Sequence, residues 1–505
     1  MKLTEQFYIL SDLHFGHKNI IEYEGRPANY TDLIIKGWQK TVGKRDKILF
    51  LGDLALCNKE DAYKWCSQLT GEKFMIRGNH DGACFSEKTK LLTLDGYKKY
   101  NELKIGEIVP TVNLKTNSVE YNPIRDIFIY DNFTPLCVVN HRGLELEITW
   151  NHVLLYQSAQ EKTKNTWKKD IAENRWGYKS SFRVPITFGR TKPLNIESNY
   201  LKLLGWILTD GSISKRGELF IYQSKSQRIG QIKILLNKLK IPYTFTTRNR
   251  VVKEICGKKI IKALPQGKFF INSTNASIFL KTVGLQKKKE LPLILWYLSN
   301  KQFHIFLDAI VDGDGHVNKH GHKSIWGKKD FLEKLLGLCV THNIRAKLIK
   351  QKTRNNYYLS VYSGKKGKCA NISPRDVTRE KYGGKVWCVN VKNNTIFTEL
   401  NGKPIVTGNS ETWYRDMGFT VVPPIFKRFK DKYENYISVL FTHEPVIDLP
   451  ENWFNVHGHI HLGIHRDAPK TARHFNACVE VLDYTPIKLH KILDGWRKYK
   501  GIKHD

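Results

Sequence analysis

Several features are absent from this 505-residue sequence, and each absence excludes a class of protein. Its nine cysteines are scattered without a Cys-x-x-Cys pair, which excludes a disulfide framework and a zinc ribbon. No run is apolar enough to span a membrane, and the opening stretch lacks the charged and apolar regions of a signal peptide. We therefore expect a protein of a reducing, cytoplasmic compartment, in a bacterium or a virus-infected cell, with no membrane partner and no obligate protein partner.

Acidic residues are scarce only in the middle of the chain. Residues 1–83 hold 12 Lys and Arg against 11 Asp and Glu, and residues 410–505 hold 14 against 12. Residues 84–409 hold the remaining 56 basic and 25 acidic residues, so nearly all of the net charge of +34 lies there. A field this basic indicates a nucleic-acid binder, although a Lys-rich solubilising surface would give the same count.

Polar residues follow three short apolar runs in the first 83 residues. The runs lead into Asp12-x-His14, into Gly52-Asp53 and into Gly78-Asn79-His80-Asp81. Apolar runs of this length, bounded by Gly and Asp, predict buried strands, and ligand sites of open α/β sheets lie at such strand ends. Carboxylate, amide and imidazole ligands suit a pair of divalent metals that activates water for phosphate-ester hydrolysis.

Two further motifs of this kind appear only after residue 410. Another apolar run ends at His443, and a short run near residue 456 leads into His457-Gly458-His459-Ile460-His461. In this order the five motifs resemble those of the calcineurin-like metallophosphoesterases, a layered α/β fold. The resemblance implies a phosphate-ester substrate and two ions, with Mn, Fe or Zn expected. One ion would be held by Asp12, His14 and His461, and the other by Asn79, His443 and His459. Asp53 would bridge them, and His80, oriented by Asp81, would be the general acid.

The motif series breaks at Cys84 and resumes at Ser410. Self-excision of residues 84–409, called the insert below, would need a thiol nucleophile, a histidine that protonates the departing amide, a cyclising asparagine and a second nucleophile. In chain order these are Cys84, His152 (with Thr149), Asn409 and Ser410. The pattern resembles intein splicing blocks, which form a β-rich horseshoe (Hint-type) domain. Three positions depart from it, because inteins usually carry His at position 408, Asp near 388 and His near 395, where this chain has Gly408, Cys388 and Thr395.

The centre of the insert contains a tandem repeat. The apolar stretch Leu203–Gly211 ends in Asp210-Gly211, and Leu307–Gly315 repeats it 104 residues later with Asp314-Gly315. Small residues in each helix would let the pair pack closely and bring Asp210 and Asp314 together. Two carboxylates and a basic surface suit metal-dependent cleavage of double-stranded DNA. This resembles the LAGLIDADG homing endonucleases, an α+β fold that uses Mg. Two buried helices with ordinary Asp-Gly turns remain the alternative.

Five segments follow from these patterns. Residues 1–83 and 410–505 form the metallophosphoesterase, residues 84–195 and 360–409 the splicing domain, and residues 196–359 the endonuclease. We expect excision of the insert and ligation of Ala83 to Ser410. The alternatives are a splicing-inactive phosphoesterase with a permanent nucleic-acid-binding insertion, favoured by Gly408 and Cys388, and a chain in which only the endonuclease is active.

Overall fold

A computed structural model describes most of the chain. The described residues are 2–17, 19–57, 59–78, 81, 84–132, 135–150, 152–158, 166–172, 175, 180–249, 254–255, 258–259, 265–286, 290–351, 356–362, 368–409, 414, 417–422, 424–430, 436–462 and 472–500. None of the helices within these ranges is long and apolar enough to cross a membrane. The fold is mixed, with α/β and β-rich parts.

The first flank contains three strands and three helices: β1 (Tyr8–Leu10), α1 (Ile20–Tyr23), α2 (Tyr30–Thr41), β2 (Lys47–Phe50), α3 (Lys59–Cys66) and β3 (Glu72–Ile76). Successive side chains of a strand point to opposite faces. In β2, Ile48 and Phe50 therefore join the core under the helices, while Leu49 joins a second core on the other face. Strands buried on both faces explain the unbroken apolar runs of the sequence.

The described part of the insert begins with eleven strands: β4 (Phe85–Ser86), β5 (Lys90–Thr93), β6 (Gly96–Lys98), β7 (Ile108–Asn113), β8 (Ser118–Pro123), β9 (Asp126–Asn132), β10 (Leu136–His141), β11 (Leu144–Ile148), β12 (Val153–Ser158), β13 (Lys168–Ile171) and β14 (Phe182–Pro185). Its last strands are β25 (Cys369–Ile372), β26 (Val377–Glu380), β27 (Gly384–Asn390), β28 (Thr395–Leu400) and β29 (Lys403–Gly408), which return to the first group. The sheets are ordered β26-β10-β11-β4-β27-β9, β13-β12-β14-β25, β29-β28-β5-β6 and β7-β8.

The centre of the insert holds two similar halves. The first contains α4 (Ser198–Asp210), β15 (Gly211–Ile213), β16 (Leu219–Gln223), α5 (Ser226–Lys238), β17 (Thr244–Arg248), β18 (Glu254–Ile255), β19 (Lys258–Lys259), β20 (Gln266–Ile271) and α6 (Ser273–Val283). The second contains α7 (Asn300–Asp314), β21 (Gly315–Val317), β22 (Lys323–Gly327), α8 (Lys329–Thr341), β23 (Ala346–Lys350) and β24 (Tyr357–Val361). Their sheets, β15-β16-β20-β17 and β21-β22-β24-β23, have matching order, and the second runs two residues past the expected end at 359.

The last flank contains β30 (Phe419–Val422), β31 (Ile425–Lys430), β32 (Tyr436–Phe441), β33 (Trp453–His457), β34 (His474–Asn476), β35 (Ile487–Lys488) and α9 (Leu489–Tyr499). It completes the sheet of the first flank, ordered β30-β3-β2-β1-β35, in which β30 pairs in parallel with β3. The second sheet is β31-β32-β33-β34, and the apolar core between the two sheets draws residues from both flanks. The two flanks thus form one layered α/β unit across the insert.

Candidate metal centre and insert junction

Carboxylates and imidazoles from both flanks converge at the ends of β1, β2, β32 and β33. One group of potential ligand atoms comprises Asp12, His14 and Asp53, and a second comprises Asp53, His443 and His459. Within each group the ligand atoms all lie within 4.8 Å of one another. Asp53 belongs to both groups, which is the place of a bridging carboxylate. His461 joins Asp12 in a third group that also contains the thiol of Cys478, a residue that the sequence patterns did not single out.

The spacing of these groups suits metal ions. His14 Nε2 lies 3.6 Å from Asp12 Oδ1 and 3.5 Å from Asp53 Oδ2, and His443 Nε2 lies 3.3 Å from the same Asp53 oxygen. Two ligands bonded to one ion at roughly 2.1 Å are ~3.0–3.4 Å apart at octahedral or tetrahedral angles. Imidazole and carboxylate together suit Zn, Fe or Mn. The residues present therefore fit a pair of divalent cations.

Hydrogen bonds orient two of the histidines. The Nδ1 atom of His443 lies 2.7 Å from the backbone oxygen of Leu51, and Nδ1 of His461 lies 2.9 Å from Oε1 of Glu480. An Nδ1–H that donates to such an acceptor leaves Nε2 free to bind a metal. Arg26 holds Glu480 in place, because its Nε donates to the same carboxylate at 2.7 Å. No sequence pattern points to Arg26 or Glu480, which lie 454 positions apart and meet only in the folded chain.

The backbone at the ligands is strained. Positive φ angles occur at 62° for Asp12, 49° for His14, 59° for Asp53, 72° for His459 and 42° for His461. Residues other than glycine rarely adopt this left-handed region, and each such position costs of order 1–3 kcal/mol. The packing of both flanks pays that cost at five of the six described ligands, which indicates that the surrounding fold enforces the ligand geometry.

Burial and mutual charge shift the ligand pKa values. Burial favours the neutral form of Asp12, but the neighbouring His443, His14 and His461 outweigh it and hold its pKa well below the usual value. Burial also favours neutral His443, yet the carboxylates of Asp53 and Asp12 raise its pKa to about 10. The site thus has a strong demand for positive charge, which bound divalent cations would supply.

Several predicted residues, namely Asn79, His80, Ala83 and Ser410, lie outside the described residues. Asp81 is described, and its carboxylate accepts backbone N–H groups from Asp53 at 2.6 Å, Leu54 at 2.9 Å and Gly78 at 2.8 Å. Burial and the nearby charge of Asp53 raise the pKa of Asp81 to about 7. Asp81 therefore ties together the loops that follow β2 and β3, and its predicted role in orienting His80 stays a prediction.

At the start of the insert, three predicted residues lie in one hydrogen-bonded series. The backbone N–H of Cys84 donates to Oγ1 of Thr149 at 3.0 Å, and the N–H of Thr149 donates to the carbonyl oxygen of Cys84 at 3.1 Å. The N–H of His152 donates to the carbonyl oxygen of Thr149 at 3.0 Å. The Cys84 nitrogen is the leaving nitrogen of the expected first step. Thr149 therefore accepts a hydrogen bond from the atom at which that step would break the peptide bond.

The end of the insert lies against the same histidine. Nε2 of His152 is 3.0 Å from Oγ1 of Thr407, which itself donates to the carbonyl oxygen of Val153 at 3.0 Å. Because that hydroxyl hydrogen is used, Nε2–H of His152 donates to Thr407. Asn409 is fully buried, and its side-chain nitrogen donates to the carbonyl oxygen of Val389. His152 thus connects the first strands of the insert to its last residues.

The three departures from the intein pattern have structural counterparts. A Cβ atom at Gly408 would lie 2.6 Å from both Cγ1 and the carbonyl oxygen of Val153, so a histidine has no room there. Oγ1 of Thr395 donates to the carbonyl oxygen of Val112 at 2.9 Å and accepts its N–H. Cys388 is the next residue after Trp387, which pairs with Phe85, so Cys388 lies across from Cys84. Both thiols belong to one small buried cluster.

The two repeat helices pack through equivalent positions. A Cβ atom on Gly205 would lie 2.5 Å from Cβ of its repeat partner Ala309, and Thr209 packs directly against its partner Gly313. Asp210 and Asp314 are the last residues of these adjoining helices. Asp210 is half-buried and accepts a hydrogen bond from Nε2 of Gln223 at 3.2 Å, whereas Asp314 is exposed.

The model of the calcineurin-like phosphoesterase family matches residues 6–200. The chain contains a calcineurin-like phosphoesterase domain. The match confirms that this part of the chain is similar to the calcineurin-like phosphoesterases. The matched range carries Asp12, His14 and Asp53 and continues into strands of the insert, whereas His443, His459 and His461 lie beyond it.

Relatives of known sequence match different parts of the chain. An uncharacterised protein of Methanocaldococcus jannaschii is 40% identical over 99 residues, covering 18% of this chain and 55% of its own length. The replication factor C small subunit of the same organism is 24% identical over 301 residues, covering 56% of this chain and 15% of its own length. The chain thus spans about half or less of the curated relatives it matches. Among solved structures, the homing endonuclease I-DmoI in complex with DNA and Mn shares 13% identity with a TM-score of 0.24, covering 33% of this chain and 89% of that chain.

Proposed function

We propose that the chain is a precursor that splices itself. Residues 84–409 would leave as an intein, and Ala83 would be joined to Ser410. The hydrogen bonds of Cys84 with Thr149, and of His152 with Thr407, support this proposal, because they link the predicted residues near the start of the insert to a residue two positions before Asn409. The buried Asn409 is the residue that would cut the chain behind it.

The proposed steps balance without an external reagent. The Cys84 thiol attacks the Ala83 carbonyl, and the amide nitrogen leaves as a free amine after protonation by His152. The Ser410 hydroxyl then takes the acyl group from the thioester and releases the thiol. The side-chain nitrogen of Asn409 attacks its own carbonyl, which breaks the bond to Ser410 and forms a cyclic imide. Finally the freed Ser410 amine takes the acyl group from its own oxygen and forms the new peptide bond.

One observation carries the proposal: the two flanks form a common sheet and a common ligand cluster on either side of a separately folded insert. Strand β3, which precedes the insert, pairs in parallel with β30, which follows it. His443 and His459 of the last flank reach Asp53 of the first. A host that is complete across the insertion is what ligation requires.

The alignment with a replication factor covers more of this chain than the flanks of 83 and 96 residues, so it includes part of the insert. An insert shared with a different kind of protein is typical of a mobile element.

The ligated host would be a dimetal phosphoesterase. Its two cations, Mn, Fe or Zn, would activate the attacking water and neutralise charge on the phosphate ester. Asp12, His14 and His461 would hold one ion, and Asn79, His443 and His459 the other, with Asp53 between them. His80 would protonate the leaving oxygen. This assignment agrees with the two ligand groups that share Asp53.

The centre of the insert would be a LAGLIDADG endonuclease that cleaves double-stranded DNA. Asp210 and Asp314 would each hold Mg²⁺ beside one scissile phosphate. Support comes from the close helix contact at Gly205 and Ala309 and from the paired helix ends. In a nicking assay with a library of target duplexes, Asp210→Ala and Asp314→Ala should each abolish cleavage, and the exposed Asp95→Ala should retain it. Equal nicking by the mutants and the parent would exclude this assignment.

Intact mass after expression of the full chain tests splicing. The expected products are a 326-residue insert and a ligated host of 179 residues, by the numbering of the sequence. Cys84→Ala should yield no ligated host, whereas Cys369→Ala, which changes a half-buried thiol elsewhere in the insert, should splice normally. A parent chain that stays intact under reducing conditions would sink the proposal.

A stable phosphoesterase with a permanent nucleic-acid-binding insertion is the second candidate. The lack of space for a side chain at Gly408 favours it, because no group at that position can assist Asn409. Burial and the neighbouring Cys388 also raise the pKa of the Cys84 thiol well above its usual value, which disfavours the nucleophilic thiolate. Persistence of the full-length mass, together with metal-dependent phosphatase activity, would select this candidate.

A further inference from the structure

The splicing nucleophile lies in a setting that suppresses its reactivity. Cys84 is 1% exposed, and it adjoins a second buried thiol, Cys388, on the neighbouring strand. A thiolate is the reactive form of cysteine, and an apolar site disfavours a thiolate. If the splicing fold alone controlled this thiol, the first step would be slow at neutral pH.

Among the described residues, the cation that acts on the Cys84 thiol belongs to the first flank. Arg77 directly follows β3, and its side chain is buried, with 6% of the residue exposed. Its guanidinium carbon lies 4.2 Å from the ring centre of Phe128, a residue of β9 in the insert. It also lies 5.5 Å from the ring centre of Tyr414, in the last flank. Arg77, a residue of the first flank, therefore contacts both the insert and the last flank.

Phe128, the residue that Arg77 contacts, is connected to Cys84 through one neighbouring residue. Phe128 pairs with Cys388 in the β9–β27 ladder, and Cys388 lies across from Cys84 on β4. Among the described residues, the titratable or charged groups that act on the Cys84 thiol are Cys388 and Arg77. Cys388 raises the pKa of that thiol, whereas the Arg77 charge lowers it. A guanidinium shielded from water by an aromatic ring acts more strongly on a neighbouring anion than an exposed one does.

We propose that Arg77, a residue of the phosphoesterase flank seven positions before Cys84, is a positioning residue for the first splicing step. It would fix the insert against the host through Phe128 and favour the thiolate of Cys84 at the moment of attack on Ala83. This inference rests on the proposed splicing function. It implies that the insert draws part of its activity from its host and would work poorly when moved to a site without such a cation.

The test isolates each cleavage in the full-length chain. In an Asn409→Ala background, dithiothreitol cleaves the thioester, so the release of residues 1–83 reports the first step. In a Cys84→Ala background, release of the last flank reports Asn409 cyclisation. Arg77→Ala should slow the first reaction on the order of tenfold near pH 7 and move its pH profile upward, since one pKa unit changes the thiolate fraction tenfold. It should leave the second reaction within twofold.

Two further variants sharpen the result. Arg77→Lys keeps the charge and should restore most of the first reaction. Arg428→Ala removes an exposed arginine that lies 5.9 Å from the Phe426 ring, a similar contact made within the last flank, and should change neither reaction. An Arg77→Ala chain with the parental rate and pH profile would overturn the inference, as would equal loss of both cleavages, which indicates a merely structural role. If the parent releases neither flank, the proposed splicing itself fails.

Discussion

The Tyr414 hydroxyl lies 3.3 Å from Oδ1 of Asp81 and donates to the Asp81 carbonyl oxygen at 3.1 Å, although 333 positions separate the two residues. Asp81 is three residues before the insert and Tyr414 is five residues after its end. This contact joins the two flanks beside the point of insertion. It joins the loop after β3 to the last flank in the full chain.

The first prediction concerns the activity of the unspliced chain. We expect a precursor that carries both Cys84→Ala and Asn409→Ala, and therefore cannot be cleaved at either end of the insert, to bind two divalent ions, because six of the predicted ligands already converge in the full chain. We also expect its phosphoesterase kcat to be lower than that of the ligated host, because the predicted ligand Asn79 and the predicted acid His80 stand only five and four positions before Cys84 in the sequence. Metal titration and hydrolysis of a chromogenic phosphate diester, side by side, measure both quantities. Equal kcat in the two forms would show that host and insert tolerate one another fully.

The second prediction concerns the support of His461. Glu480 accepts the Nδ1–H of His461 and is held by a buried ion pair with Arg26, at 2.6 Å. Loss of such a partner typically costs 10–100-fold in metal affinity. Glu480→Gln should therefore weaken Mn²⁺ binding by about that factor in calorimetric titration of the full chain. The exposed Glu451→Gln serves as the control and should bind normally. Unchanged affinity in Glu480→Gln would contradict an orienting role.

A third prediction concerns the repeat helices α4 and α7. Valine at Gly205 would collide with Ala309, because even a Cβ atom there would lie 2.5 Å from the alanine methyl. Overpacking of this kind costs about 1–3 kcal/mol and would push the helix ends apart. Gly205→Val should lower the melting temperature of the insert and abolish DNA nicking. Gly230→Ala, in α5 where no atom lies within 4 Å, should melt at or above the parental temperature. Normal nicking by Gly205→Val would show that DNA cleavage does not require the close contact between α4 and α7.

The fourth prediction concerns acid stability. Burial lowers the pKa of His342 to about 4, despite backbone carbonyl oxygens at 2.7 Å from Nδ1 and 3.1 Å from Nε2. The folded pKa lies below the ordinary value near 6.5, so the unfolded chain binds more protons between pH 6.5 and 4. The free energy of unfolding of the insert should fall as the pH falls through this window, by up to about 1.4 kcal/mol per pH unit.

Melting temperatures from pH 7.5 to 4 measure this dependence. His342→Gln removes the titrating group and should flatten the slope, whatever its effect on stability at neutral pH. His316→Gln, an exposed histidine of the same half, should keep the parental slope. An equally steep slope in His342→Gln would assign the acid sensitivity to other groups.

The sequence alone predicts the metal ligands that directly follow apolar runs. Asp12, Asp53 and His443 each follow an apolar run, and such runs predict strands whose ends share one edge of a sheet. Arg26, Glu480 and Cys478 could not be found in this way, because their roles depend on contacts between distant parts of the chain. The same reason explains Arg77, whose significance depends on Phe128 across the host boundary.

For the three departures from the intein pattern, the sequence identifies the residues and the structure explains them. The sequence showed that Gly408, Thr395 and Cys388 replace expected residues, but it gave no reason. In the folded chain Gly408 faces Val153, and Thr395 forms a pair of hydrogen bonds with Val112. Each replacement fits its own neighbours. Restoring one position alone, such as Gly408→His, would therefore meet steric conflict before it could supply a catalytic group.

The place of the insert within the host also bears on inheritance. The coding sequence of the insert interrupts a loop in which Gly78 and Asp81 anchor the backbone beside Asp53. A genomic deletion that removed the insert with an error of even a few codons would shorten or lengthen this loop and damage the ligand cluster. Only an exact deletion would leave the loop intact, so selection on the metal centre would itself preserve the insert.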